Sequence, residues 1–368
     1  MTMMEYSLSH SPVTRCSSRA CRPGEGNPRV SHDRNPFALP PHPPSFLTSP
    51  PHSPSSPVYA PLVSLGRELA RSHEASHSHR LLFLCAADFD FRLLASNWLA
   101  ALHRKGATNA LVYALDSDTH EYLRSQGHQS VDGSSNLAGW NATRLSRHIQ
   151  RAEAERHLAA AALAWAGLDV LLTETTHVMV GDVRPMLRAL ASAGGDEGMD
   201  MAVPKGLCKG QGAIGCSPSF NLVFLHGAGT PEQRERAVAF QVAGIKKGMV
   251  DFYLRWYNGA HCIANGFGKL FASCKPALAN RVTPQTLSGL KTVAVATLES
   301  CSEHVRIGLL PHSFFHQPLL YGNRSSPFGR IARSAKPELR DRLNLNRYDE
   351  QDFIQLESVM RKDGIWFV

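Results

Sequence analysis

Three short apolar runs in this 368-residue chain end in acids or hydroxyls. "RLLFLCAADFD" closes on Asp88 and Asp90, "NALVYALDSD" on Asp116 and Asp118, and "LDVLLTETTHV" on Glu174 through His177. In open α/β sheets the carboxyl ends of strands line the ligand crevice, so acids collected there point to a site. Any one of them could instead be solvated or cap the next helix; three strand ends together favour a site. A divalent cation would ask for two carboxylates one residue apart. Here Glu174 is followed by Thr175 and Thr176, one acid and two hydroxyls.

Other motifs narrow the chemistry. "GQGAIG", Gly210 to Gly215, matches GxGxxG by letter, but "CSPSFNLVFL" follows it and reads as turn then strand. A dinucleotide fingerprint needs a helix at that place, so the segment is expected to be a Gly-rich loop, with Lys205 and Lys209 beside it able to meet phosphate. No GxSxG, HExxH or Walker A sequence occurs. His312 and His316 lie four apart in "PHSFFHQP", where flanking prolines oppose a helical metal face.

The elements that must position these residues are legible from periodicity. A strand near Leu81 leads to a helix through Leu94, Trp98 and Leu102 that stops at Gly106. "NALVYALDSD" is a strand, and "DTHEYLRSQG" a helix closed by Gly127. After a polar loop around Asn136 to Trp140 comes a long Ala-rich helix ending at Gly167, which feeds the strand before Glu174. "VRPMLRALASAGG" reads as helix, "MDMAVPKG" and "SFNLVFLHG" as strands, and "TPEQRERAVAFQVAGIKKG" as a capped helix with proline in its first turn. This alternation predicts a doubly wound α/β sheet.

Residues 1–75 are rich in Pro, Ser and His, as in "LPPHPPSFLTSPPHSPSSP", and are expected to be disordered; a domain is expected over 76–368. The chain carries a formal charge of +8 with 43% apolar residues, a normal globular share. A basic balance suits anionic partners, or simply keeps the surface soluble. A nucleic-acid role has only that charge and the Arg-rich stretch 324–347 behind it, with no recognised binding motif.

The eight cysteines form no CxxC pair, which removes zinc-ribbon and thioredoxin readings. Cys85 reads as a small core residue, and disulfides among Cys208, Cys216, Cys262, Cys274 and Cys301 are open if the protein is exported. The sequence shows no transmembrane anchor and no apolar core of a signal peptide, so either the protein is not exported or the sequence lacks its natural start. Asn141 and Asn323 fit the glycosylation triplet.

Taken in order, these pieces resemble the nucleotide-diphospho-sugar transferase domain of plant and algal glycosyltransferases, the group with the xylosyl- and arabinosyltransferases of cell-wall and extensin glycans. The likeness runs from about Leu81 to Phe267 and more weakly to the end. "SNWLAALHRKGATNALVYALDSDTHEYLRSQG" stands where the family has an Asn-Trp-Leu helix and a strand ending Ala-Leu-Asp. "WAGLDVLLTETTHVMVGDV" stands where it has a Val-Leu-Leu strand, an Asp-x-Asp motif and an Asp-Pro. "FNLVFL" aligns with Asn-Thr-Gly-Phe, and "MRKDGIWFV" with a terminal Gly-Leu-Trp.

The resemblance implies a GT-A-like fold, a doubly wound mixed sheet flanked by helices. It implies transfer of a sugar from a nucleoside diphosphate sugar to a glycan or glycoprotein acceptor, in the Golgi or secretory pathway. It also implies Mn2+ or Mg2+ against the donor diphosphate, with Glu174 and Thr176 at the metal motif. Asp116 would face the nucleotide, Asn221 the sugar, and Asp251 would match an acid of a later Asp-Gln motif in which Phe252 replaces Gln. No catalytic residue follows from the likeness.

Three departures bear on chemistry. Thr176 is a neutral hydroxyl where the second metal-binding acid belongs, Leu222 and Val223 replace Thr and Gly, and no late Val-His-x-Asn segment is found. They leave the cation open. They also raise the alternative of a catalytically inactive GT-A-fold protein kept as a sugar-binding or scaffold subunit.

Overall fold

The computed structural model describes residues 49–74, 81–143, 145, 148–179, 181–192, 198–204, 218, 220–255, 262–274, 277–282, 293–297, 304–310, 315–316, 329–331, 358, 360–361 and 366–368. A 3-10 turn, Pro57–Tyr59, leads into α1 (Ala60–Glu74). Then come β1 (Leu81–Ala87), α2 (Arg92–Arg104), β2 (Ala110–Ala114), α3 (Ser117–Ser125), β3 (Ser130–Asp132) and α4 (Ser134–Gly139). The chain continues through α5 (His148–Trp165), β4 (Asp169–Thr173), β5 (His177–Met179), α6 (Arg184–Ser192), β6 (Met201–Pro204) and β7 (Val223–His226). It goes on with α7 (Pro231–Arg255), α8 (Cys262–Ser273), β8 (Ala277–Val282), β9 (Val293–Thr297), β10 (Arg306–Leu310), β11 (Phe315–His316) and β12 (Gly329–Ile331).

Among the described residues nine strands form one mixed sheet in the order β3-β2-β1-β4-β7-β6-β10-β9-β8. β1 pairs in parallel with β2 and β4, and β2 with β3, while β7 runs antiparallel to both β4 and β6. β5 leaves the main sheet and joins β12 and β11 in a small separate one. Chain direction therefore reverses beside β1: α2 and α3 carry it out to β3, and α5 brings it back to β4 on the other side. That reversal is a topological switch point.

Strand alternation builds two cores. Leu82, Leu84, Leu111, Val170 and Leu172 point to a layer of α1, α5, α7 and α8, while Leu81, Phe83, Cys85, Val112 and Leu171 point to α2, α3 and α6. A strand buried on both faces reads as a continuous apolar run, as β1 does. Each fully buried leucine contributes about 1.5–3 kcal/mol. A one-residue slip would exchange the two faces, so this pattern pins the register. α5 is apolar over its second half because it is covered on every side, Leu158 to Ala164 being at most 1% exposed.

Local signals behave as their chemistry demands. Gly106, Gly127 and Gly167, the three expected helix stops, take left-handed φ of 69°, 76° and 89°. At the start of α7 the Gln233 N–H donates to Thr230 Oγ1 at 3.2 Å and the Thr230 N–H to Gln233 Oε1 at 2.9 Å, a reciprocal capping box.

Two expectations are corrected. Order does not begin near residue 80: α1 lies inside the segment read as disordered, with Tyr59, Leu62 and Ala70 each 1% exposed in the core. Proline density averaged over 1–75 masked the helical spacing of Leu62, Leu65 and Leu69. The polar loop expected from Asn136 to Trp140 is instead α4 and a 3-10 turn, Trp140–Ala142, with Trp140 fully buried. Cys85 is a free core thiol, and Cys274 is disulfide-bonded. Among the described residues no helix is long and apolar enough to cross a membrane.

Candidate functional site

Parallel pairing brings the carboxyl ends of β1, β2 and β4 to one edge of the sheet. Because β7 is antiparallel to β4, its amino end lies there too. Continuing the register beyond Leu172↔Val223 sets Glu174 level with Asn221. Asp116 and Asn221 are then three strand spacings apart, roughly 14 Å across the sheet alone. The sequence-predicted acids and Asn221 thus share an edge at the switch point.

Asp116 is the N-cap of α3. Its Oδ1 accepts the Thr119 N–H at 2.7 Å and its Oδ2 accepts the Phe89 N–H at 2.8 Å, so it ties the turn after β1 to the start of α3. Asp88 Oδ2 sits 3.1 Å from His148 Nε2. Partial burial, followed by the neighbouring charges of Asp88 and Asp116, raises the Asp90 carboxyl above its ordinary range. Three carboxylates are therefore close enough to feel one another. Phe89 is 40% exposed at this lip, with the Arg92 guanidinium 3.9 Å from its ring centre.

Glu174 occupies the turn between β4 and β5, closed by the His177 N–H donating to its carbonyl at 3.0 Å. Its Oε1 lies 3.4 Å from Arg156 Nη1, and its Oε2 lies 3.5 Å from the Thr176 hydroxyl and 3.9 Å from His177 Nδ1. Arg156 also lies 3.7 Å from Glu153. Among the described residues no group of three or more His, Cys, Asp or Glu is arranged to hold a metal ion.

Asp251 falls near the carboxyl end of α7. That helix runs antiparallel to α5, since Gln241 meets His157 and Arg234 lies by Gly167. Ten residues beyond Gln241 is roughly 15 Å along the axis, toward the site edge. Lys205, Lys209, the "GQGAIG" loop and His312 lie outside the described residues; His316 belongs to β11, a strand rather than a helical face.

Sequence reasoning missed the amino-terminal half of α5. In "HIQRAEAER", His148 meets Asp88, Arg151 donates to the side-chain oxygen of Asn141, and Arg156 meets Glu174. The available signal was a charged start to a helix that is apolar from Leu158 onward. The same helix carries Glu155, 0% exposed, whose carboxylate accepts from Tyr59 OH at 3.0 Å, Tyr113 OH at 2.8 Å and Trp140 Nε1 at 2.6 Å. Burial pushes its carboxyl up to about 7 against the lowering effect of those donors. With both oxygens occupied and no solvent contact, Glu155 joins the 3-10 turn before α1, β2 and the Trp140 turn to α5 rather than meeting a ligand.

Comparison with family models, with curated proteins and with solved structures finds no match for this chain. The site must therefore be read from its own geometry.

The opposite edge of the sheet carries the other acid–base pairs. Asp200, 0% exposed, receives Arg236 Nε at 2.9 Å, Arg236 Nη2 at 2.8 Å and the Arg306 N–H at 2.8 Å. Asp169 Oδ1 receives the Ala228 N–H at 3.0 Å and lies 2.8 Å from His226 Nδ1. A groove of about 540 Å3 runs beside α1 between Ala60 and Arg71, past Ala166 and Leu168, and contains none of the predicted site residues.

Proposed function

We propose that this chain is a GT-A-like glycosyltransferase domain that binds a nucleoside diphosphate sugar across the carboxyl edge of β1, β2 and β4 and passes the sugar to a glycan or glycoprotein hydroxyl. What supports this reading is that Asp116, Glu174 and Asn221 lie along one switch-point edge of the sheet. An extended nucleoside diphosphate sugar is long enough to bridge that edge. The nucleotide would lie toward β1 and β2, where Asp90 and the exposed Phe89 stand, and the sugar toward Asn221. The amino terminus of α5 lies beside Asp88, and its partial positive charge favours a bound anion. The disulfide at Cys274 supports maturation in an oxidising compartment such as the secretory pathway.

Calorimetric titration of the full chain with nucleoside diphosphate sugars tests the reading. Binding in the micromolar to millimolar range is expected, and Glu174→Ala is expected to abolish release of the diphosphate. A chain that binds no such donor contradicts it. A second reading, a sugar-nucleotide-binding subunit without turnover, is favoured by the neutral Thr176 and by the guanidinium already facing Glu174. It predicts donor binding without diphosphate release for any acceptor tested.

A further inference from the structure

The groove of about 540 Å3 beside α1 opens onto the connection from α5 to β4, at the opposite end of β4 from Glu174. Gly66 lets α1 settle closely there: a Cβ would stand 2.7 Å from Leu163 and 3.3 Å from Leu168 and Leu82. Toward the groove α1 presents Ala60, Val63, Ser64, Arg67 and Arg71, spaced three or four residues apart as one helical stripe demands. Alanine and serine are too small to fill the space beside Ala166 and Leu168, so the hollow stays open.

The two guanidinium groups in this groove lack a counter-charge. Arg67 Nη2 donates to the Ala166 carbonyl at 3.1 Å, which holds that side chain across the end of α5, and Arg71 Nε donates to the Arg67 carbonyl at 3.3 Å. Among the described residues neither meets a carboxylate, whereas Arg156, Arg184 and Arg236 each face one. Four residues apart on one helix, Arg67 and Arg71 repel each other. No described Asp or Glu lines the groove to offset them. The lining also has a direction: the charges sit toward the end of α1, while Ala60 and Val63 lie one to three turns before them.

We propose that this groove binds a small amphiphilic anion, a molecule with one carboxylate or phosphate head on an apolar chain. Each guanidinium spends one donor on a backbone carbonyl and keeps the rest of its fork for an oxyanion. The apolar body lies along Val63, Ala60 and Leu168. Small-molecule sites are recesses of roughly 300–1,000 Å3, largely apolar with a few polar groups that orient the ligand. A recess of this size and lining suits one small molecule rather than a flat macromolecular surface. The proposal is independent of the donor-binding reading, since the groove contains none of its residues.

The test is calorimetry of the full chain with octanoate and octyl phosphate, set against inorganic phosphate and octanol. At least one octyl anion is expected to bind at micromolar to millimolar strength, with phosphate and octanol roughly tenfold weaker or worse. Arg71→Gln, whose lost bond lies within its own helix, is expected to weaken that binding about tenfold, the ordinary effect of losing a charge-assisted hydrogen bond. Val63→Glu, which sets an acid in the groove, is expected to abolish it. Binding of neither octyl anion overturns the proposal, and capture by phosphatidylserine vesicles in that case would assign the groove to a membrane surface instead. Octanol or phosphate binding as tightly as the octyl anions overturns it too, as does unchanged affinity in folded Arg71→Gln and Val63→Glu chains.

Discussion

The two edges of the sheet treat their acids in opposite ways. At the amino edge of β4 and β6, Asp200 and Asp169 are buried and closed in by donors at 2.8–3.0 Å. At the carboxyl edge, Glu174 is 29% exposed and meets Arg156 Nη1, the Thr176 hydroxyl and His177 Nδ1 at 3.4–3.9 Å. Short bonds inside the core hold strands in place; longer, partly exposed contacts can be exchanged for those of a ligand. The difference separates a brace from a binding edge although both contain the same residue types.

The largest expected effect breaks the brace. Arg236→Leu leaves the Asp200 carboxylate buried without its guanidinium, and removing one member of such a pair costs about 3–5 kcal/mol. Urea denaturation should show this loss while the carboxyl edge keeps whatever ligand affinity it has. A change below about 1 kcal/mol would mean that the amino edge is not the tighter of the two.

Glu155, inside α5 between the edges, gives the next effect. Its carboxyl is raised in the folded chain from 4.5 to about 7. The folded state therefore binds the proton more tightly than the unfolded one. Stability from this group is fully present below pH 4.5 and is lost as pH rises through 7. The shift corresponds to about 3 kcal/mol. Glu155→Gln should flatten the stability profile over that window in urea titrations, and an unchanged slope would remove Glu155 as its source.

The smallest stability effect belongs to the carboxyl edge. Glu174→Gln should alter unfolding free energy by less than about 1 kcal/mol, as for other partly exposed ion pairs, yet disturb donor binding. A large loss of stability would make Glu174 another brace and erase the distinction between the edges.

The parts that sequence makes visible are those fixed by near neighbours. β1 and β2 follow from apolar runs, α2 and α3 from helical spacing and their left-handed glycines, and the start of α7 from Thr230 and Gln233. α1 escaped because its stripe lies at the end of a proline-rich tract whose composition speaks louder. At the site, the strand-end acids were visible one strand at a time, but the meeting of Arg156 with Glu174 spans 18 residues and a change of layer. The antiparallel setting of β7, which delivers Asn221, and the insertion of β10 between β6 and β9 depend on pairings between distant segments. No local pattern encodes either.

Hydrogen–deuterium exchange of the full chain with and without uridine diphosphate tests the central claim most directly, since it reads both edges in one experiment. The account predicts slower exchange confined to the turn after β1 at residues 88–91, the first turns of α5 and the turn at 174–177, with the amino edge around His226 and Arg236 unchanged. Protection at the amino edge alone, or none anywhere at saturating nucleotide, would contradict it.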